Sequence, residues 1–150
     1  MLWWTLRQLK SPKSKDRLQA VNKLAGVQDP RVMESLTKLL IHDPDAKVRQ
    51  QTCVVVSELK DSDTVLPLIE ALKDKNDGVK TAAAKCLART NDERAIPALA
   101  EAMSQSDSKT QEKIAKELLG FGKEALPEFM KLLAGNAQEQ RIAVKAIGEL

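Results

Sequence analysis

Tyrosine is missing from this chain, and aromatic residues of any kind make up only 3% of its 150 positions. A core must then be built from Ala, Leu, Val and Ile, which suits closely packed helices better than a β-sandwich. Histidine occurs once, at His42, and cysteine twice, at Cys53 and Cys86. That inventory is too small for a four-ligand zinc site. Two cysteines without an export signal point to free thiols in a reducing compartment, the cytoplasm. No apolar run approaches the roughly 18–20 residues of a membrane span. The opening MLWWTLRQLK is too short, and too interrupted by Arg7 and Lys10, for a secretory signal. No segment alternates with period two over a strand's length. P-loop, GxGxxG, GxSxG and HExxH motifs are all absent. The turn DKNDG fails as a calcium loop. With Gly78 as sixth position, Lys73, Lys75 and Ala84 would stand first, third and twelfth. These absences leave no catalytic, cofactor or metal site to nominate.

What the chain does have is internal repetition. VLPLIEALKDKNDGVKTAAAKCLA (65–88) aligns with IPALAEAMSQSDSKTQEKIAKELL (96–119) at a spacing of about 31, inside the range of stacked repeats. Val65, Leu68 and Leu72 match Ile96, Leu99 and Met103. Met33, Leu36 and Leu40 take the same places upstream, and Leu126, Phe129 and Leu133 downstream. Each trio, at i, i+3 and i+7, is one stripe of a helix. A second helix per unit carries its own stripe: Val48, Thr52 and Val56; Val79, Ala83 and Leu87; Thr110, Ile114 and Leu118. Asp29, Asp43, Asp45, Asp61, Asp63, Asp77, Asp92 and Asp107 fall in the turns, where a short carboxylate can accept orphan backbone N–H groups.

The expected architecture is a single all-α domain over 1–150. It has an N-terminal capping segment (1–13), a lone second helix (14–27) and helix pairs near 30–60, 63–90, 93–120 and 123–150. The last helix, ending in AIGEL, lacks the polar face of a terminal repeat. That suggests a module of a longer solenoid, or an end covered by a partner.

The pair RAIPALAEAM (Arg94–Met103) and DGVKTAAAKCLA (Asp77–Ala88) resembles the short HEAT-like repeats first associated with phycobilisome lyase subunits. The resemblance implies a right-handed α-solenoid of stacked antiparallel helix pairs, with the second helices lining the concave face. This chain departs from the pattern twice. DSKT (107–110) lacks the usual Val-Arg pair, and the 42–46 turn reads as one residue longer than its counterparts.

Charge supplies the functional clue. The net charge is only +3, but the second helices hold an excess of base in two columns. One is Arg17, Arg49 and Lys80, continued by Gln111 and Gln140. The other is Lys85, Lys116 and Lys145, preceded by Asn22 and Val54. A stripe of like charge raises the local potential beyond what net charge suggests. The first column can also be read as bridging to turn aspartates and tying repeats together. Trp3 and Trp4, the only tryptophans, read as part of a cap over the first repeat or as a secondary contact with a partner. Cys53 and Cys86 read as buried thiols.

The expectation is therefore a non-catalytic, cytoplasmic interaction scaffold without cofactor. Its partner would be a protein with an acidic surface, recognised by Arg17, Arg49, Lys80, Lys85, Lys116 and Lys145. Two alternatives follow from the resemblance. One is a phycobilin lyase-like subunit acting with a second subunit and a tetrapyrrole on a cysteine of a partner protein. The other is nucleic-acid binding, which sits poorly with repeats that lack stacking aromatics.

Overall fold

Helix starts are fixed by short polar side chains. Asp29 accepts the Arg31 amide at 2.9 Å, Asp45 that of Lys47 at 2.8 Å, Asn76 that of Val79 at 3.2 Å, and Asp107 that of Thr110 at 2.8 Å. Asn136 accepts the amides of Gln138 and Glu139, while Glu139 returns a bond to the Asn136 amide, a full capping box. Asp77, expected as a cap, is instead the first residue of its helix, and its neighbour Asn76 does the capping. The computed structural model describes residues 1–59 and 64–150. Asp61 and Asp63, also expected as caps, lie outside the described residues.

Among the described residues the chain forms ten α-helices and no strand. They are α1 (Leu2–Gln8), α2 (Ser14–Lys23), α3 (Pro30–His42), α4 (Ala46–Glu58), α5 (Val65–Ala71), α6 (Asp77–Thr90), α7 (Ala95–Ser104), α8 (Ser108–Leu119), α9 (Leu126–Leu132) and α10 (Ala137–Glu149). A short 3-10 turn, Gly122–Ala125, leads into α9. It starts at a left-handed backbone position, Gly122 with φ +64°, which glycine adopts without strain. Each odd-numbered helix packs on the even-numbered one that follows, and the pairs stack in chain order as an all-α solenoid.

The stripes read from the sequence form one continuous core, except that Met33 and Leu126 are only half-buried and Leu133 is 41% exposed. Leu36, Leu40, Leu68, Leu99 and Phe129 of the first helices are buried, as are Val48, Val56, Val79, Ala83, Leu87, Ile114 and Leu118 of the second. Fully burying one such side chain contributes about 1.5–3 kcal/mol. No single amphipathic helix can bury its own stripe, so each pair depends on its neighbours. Three residues (43–45) separate α3 from α4, as three (105–107) separate α7 from α8. The extra residue expected at the 42–46 turn is taken up within α3: Leu40 stands five residues before the cap Asp45, whereas Leu72 and Met103 stand four before Asn76 and Asp107.

Polar links cross the same interfaces. Arg17 on α2 grips Asp43 bidentately, with Nε to Oδ2 at 2.7 Å and Nη2 to Oδ1 at 2.8 Å. Arg49 on α4 grips Asp74 the same way at 2.6 and 2.9 Å. Its Nη1 also donates to the Asp43 carbonyl at 2.6 Å. The Arg49 and Asp74 side chains are only 6% and 8% exposed. Removing one member of a buried pair strands the other charge, whereas replacing both with apolar groups costs far less. Asp74→Ala should therefore lower stability by about 3–5 kcal/mol. Arg49→Met/Asp74→Leu should recover most of that loss. Urea unfolding followed by circular dichroism checks both, and a double variant as unstable as the single one would refute the account.

Hydrogen bonds from Arg31 hold the Asp29 carboxyl at about 2. Asp45 and Asp107 are lowered chiefly by backbone N–H bonds, and Asp92 chiefly by Arg94. Burial pushes Asp74 up, but the bonds from Arg49 and the Asn76 amide outweigh it and leave it below its ordinary value. All five are more acidic folded than unfolded. Their contribution is complete above the unfolded value of about 4 and is lost as pH falls through the folded ones. The thermal midpoint should hold steady from about pH 7 to about pH 5 and fall progressively below about pH 4.

Candidate functional site

The two basic columns have different fates. Arg17 and Arg49 are buried in the inter-repeat pairs just described, facing Asp43 and Asp74 rather than solvent. Lys80 on α6 is half-buried, with Nζ 3.6 Å from Asp77 one turn back, and its charge also lowers the Asp107 carboxyl. In Arg17 and Arg49 the column serves stacking, whereas the ion pair of Lys80 stays within α6. Lys85 on α6, Lys116 on α8 and Lys145 on α10 are exposed.

Lys116 and Lys145 belong to a larger feature, a groove between α8 and α10 of about 720 Å³. Its floor is Ala115, Leu119, Ile142 and Ala146. Lys109, Lys113 and Lys116 rise along the α8 wall, and Arg141 and Lys145 along the α10 wall. Against these five cations stand two carboxylates, Glu112 and Glu149. Among the described residues, Lys109, Lys113, Lys116 and Lys145 make no ion pair. At the rim, Gln138 Nε2 donates to Glu112 Oε1 at 3.4 Å, and Arg141 donates to Gln138 Oε1.

The reason for a groove here is local. Consecutive second helices pack closely along α2, α4, α6 and α8, but α8 and α10 touch over a shorter stretch. Ala115 and Ala146 bring little bulk to the gap, and the two walls repel each other electrostatically. Lys109, Lys113 and Arg141 were not singled out in the sequence. The signal was present as an i, i+4, i+7 run of lysines on α8.

Other nominated residues lie apart from this groove. Trp3 and Trp4 are 67% and 64% exposed, with the Arg7 guanidinium 5.5 Å from the Trp3 ring centre. The packing of α1 falls instead to Leu2, Leu6 and Leu9 on its opposite side. His42 is exposed in the last turn of α3. Among the described residues no group of three His, Cys, Asp or Glu could hold a metal ion. No helix of the described chain is long and apolar enough to cross a membrane.

A family model described as HEAT repeats matches residues 4–77, 33–119 and 65–148. No curated protein matches the sequence significantly. Among solved structures, a chain in the complex of CpcE and CpcF of phycocyanin lyase from Nostoc sp. PCC7120 superposes with a TM-score of 0.72 at 21% identity. The match covers 98% of this chain and 64% of that one, so this chain spans just under two thirds of its length. This corrects the expectation that the protein is not an enzyme. The same architecture serves in a lyase complex, so the lack of a local catalytic motif is no ground for excluding lyase work.

The cysteines of this chain are poor nucleophiles. Both are buried. Burial drives the Cys53 thiol far above its ordinary value, reinforced by Cys86 and Asp74 nearby, and burial raises Cys86 too. A thiol held protonated and inaccessible reacts slowly. Native protein at about pH 8 should resist iodoacetamide at both positions while denatured protein takes two labels, as intact-mass spectrometry would show. Rapid labelling of the native fold would contradict the burial.

Proposed function

Given that the chain belongs to the HEAT-repeat family, we propose that it is a subunit of a phycobilin lyase-type complex that works with a second HEAT-type chain. The observation that carries this reading is its superposition, over almost its whole length, on a chain of the CpcE–CpcF complex. Two features of the chain are consistent with it. Its own thiols are buried, so a cysteine that receives a tetrapyrrole belongs to another protein. Its exposed base is concentrated on the second helices. These pack more closely with one another than the first helices do, which supports reading them as the inner side of the solenoid's curve. Lys85, Lys116 and Lys145 then face a partner held in that curve, where charge complementarity speeds association and fixes register. Trp3 and Trp4, exposed at the other end, are a second contact point.

The test is reconstitution. The chain is mixed with a linear tetrapyrrole and an apo-phycocyanin subunit, with and without a second HEAT-type lyase chain. The expected result is a coloured adduct that survives denaturing electrophoresis only when both chains are present. Lys85→Glu/Lys116→Glu/Lys145→Glu should reduce adduct formation by about tenfold or more while helicity is unchanged. No adduct, and no complex by size-exclusion chromatography, would overturn the lyase reading.

A further inference from the structure

We propose that the α8–α10 groove is the docking site for an acidic amphipathic helix of a partner protein. As the contact within a lyase-type assembly it rests on the reading above, and its geometry stands independently. Both walls are helices whose backbone groups are internally bonded, so the groove offers no strand edge to pair with an extended segment. An occupant must satisfy its own backbone, and a helix does so. The floor suits one. Ala115 and Leu119 lie one turn apart on α8, and Ile142 and Ala146 one turn apart on α10. Ala115 and Ala146 leave room for the ridge of a third helix, and Leu119 and Ile142 offer it apolar contact.

Charge then specifies the flanks. Lys109 to Lys116 spans about 10 Å along one wall, at 1.5 Å per residue. Arg141 and Lys145 stand one turn apart on the other. A helix with a central apolar stripe and Glu or Asp on both sides would meet cations on both sides. The lysines make no ion pair within the described chain, so binding need not break one. The two groove carboxylates, Glu112 and Glu149, disfavour a phosphate backbone more than a helix carrying an apolar stripe. The floor would add nothing to duplex DNA.

The probe is a fluorescein-labelled peptide of about 15 residues, with Leu along one helical stripe and Glu on both flanks. A scrambled peptide of the same composition and a labelled DNA duplex serve as comparisons. Fluorescence anisotropy with the full chain should show saturable binding of the patterned peptide, weakening as salt rises from about 0.05 to about 0.5 M. Lys113→Glu/Arg141→Glu should weaken it by about tenfold or more. Lys23→Glu, exposed on α2 and outside the groove, should leave it unchanged, with circular dichroism confirming equal helicity. Equal binding of the scrambled peptide, tighter binding of the duplex, or insensitivity to the double variant would each overturn the groove assignment. Peptide binding without adduct formation would sustain the groove and remove the lyase reading. Adduct formation without peptide binding would do the reverse.

Discussion

A buried carboxylate in a turn, gripped by an arginine from the preceding repeat, is the contact on which the stacking geometry depends. Asp43 is the clearest case. Its side chain receives Arg17 from α2, while its backbone carbonyl receives Arg49 from α4. One turn therefore fixes two successive second helices, and Arg49 passes the constraint on to Asp74. Hydrophobic burial supplies most of the stabilisation, but apolar stripes slide easily. Paired, directional ion pairs set the register at which they meet.

That ladder weakens along the chain. At the next place down, base and acid soften together. Lys80 replaces arginine and Gln105 stands where Asp43 and Asp74 stood; further on come Gln111 and Ala134. With no bidentate grip across the last interface, α8 and α10 are free to part. The lysines of α8 stand off the ladder position, which Gln111 holds, and form a charged wall. The groove lies one interface beyond the last arginine–aspartate grip, and its cations stand at other helical positions than the ladder's.

This explains why a column of bases read from the repeat phase alone mixed two kinds of residue. Arg17 and Arg49 share a phase with Lys80, yet they face the next turn's aspartate, which is visible only when the neighbouring turn is in place. Lys109, Lys113 and Arg141 were passed over for the opposite reason. They do not recur at the repeat spacing, and their common face appears only when one helix is considered by itself and then set against α10.

The sequence by itself determined the helices, most of their stripes, the repeat of about 31 residues and the caps Asp29, Asp45 and Asp107, though not Asn76. These depend on local periodicity and on groups within a few residues of each other. It also carried the resemblance to lyase-associated repeats. Only the tertiary structure decided which cations are consumed by ion pairs 25 or 26 residues away and which remain for a partner. It also decided that Trp3 and Trp4 face outward, and that a gap lies between α8 and α10. The physical reason is the same in each case. Whether a charge is paired, or an apolar face covered, depends on what lies across an interface, and in a stacked solenoid that neighbour is always one repeat away.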